Sequence, residues 1–134
     1  MSTSLIIIAH NPTASALSEA AQKTLNKELD NLHVFDIQLT DKLDLANQLS
    51  KQVLAQTEKE VLILSDLIGA SPYNIAKQLQ LNLKDKRNIE LVTGLNLAML
   101  LKTLNYQYLP ADKLAQKALC GGEDCITLNC ENHD

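Results

Sequence analysis

Tryptophan is absent, phenylalanine occurs once at Phe35, and tyrosine is confined to Tyr73, Tyr106 and Tyr108, so aromatic residues make up 3% of the chain. Hydrophobic residues nevertheless reach 46%. The core must therefore be aliphatic, which suits helices packed on a parallel sheet. A basic face is missing as well: Arg87 is the only arginine, the lysines are scattered, and the net charge is −4. Without a basic stripe or stacking aromatics, nucleic-acid binding is set aside.

Long apolar runs are also missing. The longest near the start, Leu5 to Ala9, is far too short to span a membrane, and no basic residues precede it as they would in a secretory signal. A cytoplasmic protein is expected. Cysteines number three, an odd count that argues against a disulfide framework, and all fall in the last fifteen residues. Cys120, Cys125 and Cys130 read as reduced thiols; even with His133 nearby, their five-residue spacing lacks the Cys-x2-Cys knuckle of a zinc site, so no metal is expected. Three prolines and four glycines leave no linker, and no repeat is visible. A chain of 134 residues is long enough for a single domain, placed at 1–128, with a polar tail at 129–134.

What the chain does contain is an alternation of two patterns. Short continuous apolar runs at Leu5–Ala9, Val34–Ile37, Val61–Leu64 and Ile89–Val92 predict strands buried on both faces. Helical spacing lies between them, with Leu17, Ala20, Ala21, Leu25 and Leu29 in the first segment and Leu45, Leu49, Val53 and Leu54 in the second. A third helix is predicted from Ser71-Pro72 through Ile75, Ala76 and Leu79, with Ser71 as cap, and a fourth is predicted to begin at Asn96. Strand and helix in alternation give a doubly wound α/β domain: a four-stranded parallel sheet of order 2-1-3-4 with helices on both faces. Further on, a short helix is predicted from Ala111 to Leu119, then a Gly121-Gly122 turn and a last strand around Cys125–Leu128.

In such a sheet, functional groups gather at the carboxyl ends of the strands, beside the point where strand order reverses. His10 lies at the end of the first strand and Asp66 at the end of the third. A carboxylate that accepts a hydrogen bond from one imidazole nitrogen fixes the tautomer and leaves the other free to attack phosphorus. Helix starts at Pro12 and at Ser71-Pro72 would offer amides and a favourable dipole to the phosphoryl oxygens. Gly69 would let its loop approach an oxyanion. The blander readings are a strand-end histidine leaving the core, an aspartate capping its own loop, and a Ser-Pro that only starts a helix. His33 and His133 are expected to face solvent.

Three blocks bear on that choice. Leu5-Ile6-Ile7-Ile8-Ala9-His10, Val61 to Ala76 with its Asp66, Gly69-Ala70-Ser71-Pro72 and Asn74, and Glu90 to Leu101 with its Gly94, Asn96 and Met99-Leu100 resemble, in order and separation, the enzyme IIA proteins of the mannose class in the bacterial phosphoenolpyruvate-dependent sugar phosphotransferase system. The resemblance implies that His10 accepts a phosphoryl group from HPr and passes it to a IIB protein, with Asp66 supporting the histidine. Asn11, Thr13, Gly69 and Ser71 would surround the phosphoryl group, and no cofactor is implied. It also implies a homodimer in which the strand around Ile126 joins the partner's sheet in antiparallel sense. Two other roles stay open: a regulatory protein that reports the phosphorylation state of HPr without a transporter, and a phosphoryl donor to dihydroxyacetone kinase. Asn11 and Ala70 stand where family members commonly have glycine, and Ala98 where proline is common; Asn11 is expected to tolerate left-handed backbone geometry.

Overall fold

The computed structural model describes residues 2–129. Its order is β1 (Ser4–His10), α1 (Thr13–Leu25), β2 (Leu32–Ile37), α2 (Leu45–Gln56), β3 (Glu60–Ser65), α3 (Ser71–Leu83), β4 (Asn88–Val92), α4 (Leu97–Asn105) and α5 (Ala111–Asp124). The four strands form one parallel sheet, as the pattern of apolar runs predicts, in the expected order β2-β1-β3-β4. β1 and β3, central and fully covered, are buried from Leu5 to Ala9 and from Val61 to Ser65.

Alternate side chains of the sheet feed two cores. Ile6, Ile8, Val61, Ile63 and Ile89 pack against α2 and α3 through Leu49, Val53, Ile75 and Leu79. Leu5, Ile7, Ala9, Leu62 and Leu64 pack on the other side against α1, α4 and α5 through Ala21, Met99, Leu100, Leu114 and Ala118. Helices thus cover both faces, and β1 is sandwiched at the switch of strand order.

The elements differ from expectation in four places. α1 stops at Leu25 because Asn26 turns left-handed at φ 54, a common helix end, so Leu29 packs on the core from the following loop. α3 begins at Ser71 itself, with extended Ala70 as the flanking residue and Pro72 inside the first turn; Ser71 does not cap the helix through its side chain. Gly121-Gly122 forms no turn but lies within α5. A Cβ on Gly121 would come 2.8 Å from Lys102 Cβ, and one on Gly122 would come 2.8 Å from Met99 Cε, so these glycines let α5 lie close on α4. Past Asp124, the residues 126–129 form no strand in this chain, and Ile126 and Leu128 are exposed. Cys130 and His133 lie outside the described residues.

Candidate functional site

Placing His10 and Asp66 together follows from the sheet. β1 and β3 are neighbours with Ile8 opposite Ser65, so the residues that end the two strands emerge side by side at the carboxyl edge. His10 Nδ1 lies 2.8 Å from Asp66 Oδ2, and the backbone amide of His10 donates to the same oxygen at 3.1 Å. The other carboxylate oxygen accepts from the amide of Leu67 at 3.0 Å. Facing a carboxylate, Nδ1 is the protonated nitrogen, so Nε2 carries the lone pair.

Exposure divides the pair by role. The Asp66 side chain is 16% exposed and the His10 side chain 38%, so the carboxylate is partly sheltered while the imidazole reaches the surface. Burial alone would raise the Asp66 pKa. The hydrogen bond from the His10 ring, that from its amide, and electrostatic attraction to His10 outweigh burial and hold the carboxyl below its ordinary value. Asp66 is therefore anionic at neutral pH and ready to stabilise positive charge on the ring.

The other site residues expected from the sequence lie on the loops around this pair. Gly69 takes φ +82 in the turn between Asp66 and α3, a conformation that a side chain disfavours. Ala70 is extended, so its Cβ costs nothing there. The amides of Gly69 and Ser71 make no hydrogen bond among the described residues, and Ser71 is exposed. On the opposite side Thr13 opens α1, whose first helical bond runs from Ala16 to Pro12, so the amide of Thr13 is likewise free. Asn11 does not adopt left-handed geometry; the asparagines that do are Asn26 and Asn31. Its amide is committed to the carbonyl of Ile37 at 3.0 Å, which leaves only its exposed side chain for a ligand.

His33 is no part of the site. It is half-buried in β2, with Nε2 shut away from solvent and unpartnered among the described residues, and burial lowers its pKa. The expectation that it faces solvent is therefore met only in part. One acidic residue at the carboxyl edge escaped sequence reasoning. Asp36, at the end of β2, accepts from the amide of Ser15 at 3.1 Å and from its hydroxyl; no local pattern announces a cap supplied across 21 residues.

A cavity of about 660 Å³ lies away from these groups, beside the start of β4, with Gln80, Lys84, Arg87 and Asn88 in its lining. No helix of the described residues is long and apolar enough to cross a membrane.

Residues 4–118 match the family model for the PTS system fructose IIA component, EIIA-man. No curated protein matches the chain. Among solved structures, it is similar to the mannose/sorbose specific IIA subunit of the phosphotransferase system from Enterococcus faecalis, with 23% identity over 99% of this chain and 98% of that one and a TM-score of 0.84. It is also similar to the phosphotransferase system component EIIA from Streptococcus agalactiae, with 23% identity over 93% and 95% and a TM-score of 0.80. The PTS IIA protein associated with the fucose utilization operon of Streptococcus pneumoniae gives 21% identity over 89% and 92% and a TM-score of 0.67. At these identities the structures speak for the fold, which they share over 89% to 99% of this chain. The match across residues 4–118 goes further: this chain belongs to the EIIA-man family, the mannose-class IIA components of the sugar phosphotransferase system.

Proposed function

We propose that the protein is a phosphohistidine carrier, accepting a phosphoryl group on His10 Nε2 from phospho-HPr and passing it to a IIB protein in the cytoplasm during sugar uptake. The observation that carries this reading is the 2.8 Å contact from His10 Nδ1 to a sheltered, anionic Asp66, which leaves Nε2 unprotonated at the surface. The Nε2 lone pair forms a bond to phosphorus as the bond to the donor's histidine breaks, and the donor's ring keeps that electron pair. Asp66 stabilises the charge that develops on the His10 ring, and the amides of Gly69, Ser71 and Thr13, with the Ser71 hydroxyl and the Asn11 side chain, face the phosphoryl oxygens.

The site suits a protein partner. The His10 side chain is 38% exposed, and Leu67 and Ile68, next to Asp66 in the chain, are exposed too. A homodimer is part of the same proposal: the outer edge of β4 has no strand beside it among the described residues, and the exposed Ile126 and Leu128 are the apolar side chains available to cover one.

The test is phosphorylation itself. Incubation with phosphoenolpyruvate, enzyme I and HPr is expected to add the mass of one phosphoryl group, acid-labile and alkali-stable, which His10→Ala abolishes. A wild-type protein that takes no label overturns the carrier reading, and a label that no IIB protein removes overturns the transport role.

A further inference from the structure

α1 begins without a cap of its own: Pro12 offers no side-chain acceptor, and the first turn holds no acidic residue. The amides at a helix start need acceptors, and here the acceptor comes from the neighbouring strand. Asp36 Oδ1 accepts from the amide of Ser15 at 3.1 Å, and its Oδ2 accepts from the Ser15 hydroxyl. The next residue of β2, Ile37, accepts from the amide of Asn11 at 3.0 Å. Two consecutive residues of β2 therefore grip both ends of the Asn11–Ser15 turn, the segment that leaves His10. In the register of the sheet, Asp36 lies opposite Ala9 and Ile37 opposite His10.

We propose that Asp36 is a positioning residue for the phosphoryl-accepting histidine, acting through Ser15. This rests on the carrier reading. Asp66 holds the ring from the β3 side, and the Asp36–Ser15 clasp fixes the backbone on the β2 side. Asp36 does not touch the phosphoryl group; it keeps the start of α1, and with it the Thr13 amide, at a fixed distance from Nε2. Supporting partners of this kind commonly change activity by about 10–100-fold when removed, because reacting groups tolerate little misplacement. By occupying the Ser15 amide, the clasp also commits part of the α1 terminus to the protein, so the phosphoryl oxygens depend more on the open amides of Gly69 and Ser71.

The test compares full-length Asp36→Ala, Asp36→Asn and Ser15→Ala, each first shown to be folded by circular dichroism. With phospho-HPr as donor, Asp36→Ala is expected to lower kcat about tenfold with KM unchanged. Asp36→Asn keeps an oxygen for the Ser15 amide and should recover most of the rate, while Ser15→Ala, which keeps the amide, should lose only about two- to threefold. A normal kcat in folded Asp36→Ala, a change confined to KM, or an Asn variant no better than Ala would overturn the proposal. A second readout needs no donor: ¹⁵N NMR should show the His10 ring nitrogens shifted or broadened in Asp36→Ala, or in Ser15→Ala if Asp36→Ala does not fold, with His33 unmoved. Unchanged His10 signals overturn the clasp, whereas a wild-type protein that takes no label overturns the carrier reading alone.

Discussion

At the scale of single residues, a single oxygen, Asp66 Oδ2, accepts from both the ring and the amide of His10. Asp66→Asn keeps the shape but removes the charge that selects the tautomer, so the variant should fold while its rate of phosphorylation falls by about 100-fold; a quench-flow measurement of label uptake decides it. The depressed pKa of Asp66 has a consequence for stability too. Because the folded state binds that proton more weakly, its contribution is fully present above the ordinary carboxylate value of about 3.9 and is lost as pH falls through the lower folded value. His33 acts in the same sense in a higher window, its burial-lowered pKa making the folded protein lose stability as pH drops below about 6.5. Urea midpoints measured from pH 7 to pH 5 should fall in wild type and fall less in His33→Gln. Strand-end position made His10 and Asp66 candidates, the three family-like blocks singled them out, and the structure brings them within 2.8 Å. Sequence could not reveal the burial of His33, which depends on tertiary packing around an edge strand.

Elements were most legible where a side chain acts locally. Asn96 caps α4 as expected, its Oδ1 accepting from the amide of Met99 at 2.9 Å, and Asn96→Ala should cost about 1 kcal/mol. The glycine pair in α5 was misread because its cause is not local: a turn and a close helix crossing call for the same residue, and only the packing of α5 on α4 separates them. The two positions should respond differently. A methyl on Gly121 meets the Cβ and Cγ of Lys102 at 2.8 Å, atoms near the backbone that cannot yield. Gly121→Ala should therefore destabilise by about 1–3 kcal/mol despite gaining about 1 kcal/mol in helix propensity. On Gly122 the obstacle is Met99 Cε, the mobile end of a flexible side chain, so Gly122→Ala should stay within about 1 kcal/mol of wild type. Chemical denaturation of the two variants separates these outcomes.

Over the whole molecule, the alternation of apolar runs and helical stripes pointed to a parallel sheet covered on both faces, because right-handed crossovers leave few arrangements; the order 2-1-3-4 was chosen from the common doubly wound orders, and it is the one observed. What lies after Asp124 was not legible in that way, since an exposed segment gains its structure from whatever it meets. If Ile126 and Leu128 cover a second copy, Ile126→Asp combined with Leu128→Asp should convert a dimer into a monomer in sedimentation velocity, and a wild-type monomer at micromolar concentration would overturn the dimer. The grip of Asp66 on both the ring and the backbone of His10 reaches to this scale as well. With Nδ1 of the ring and the amide of the same residue both held by one oxygen, a ring flip that offered the other nitrogen would break the Nδ1 bond, so on the carrier reading the phosphoryl group arrives and departs at Nε2. If the proposed donor and acceptor both use that nitrogen, they should exclude each other, and steady-state turnover should follow a ping-pong pattern, in which a surplus of unloaded donor slows delivery simply by standing in the way.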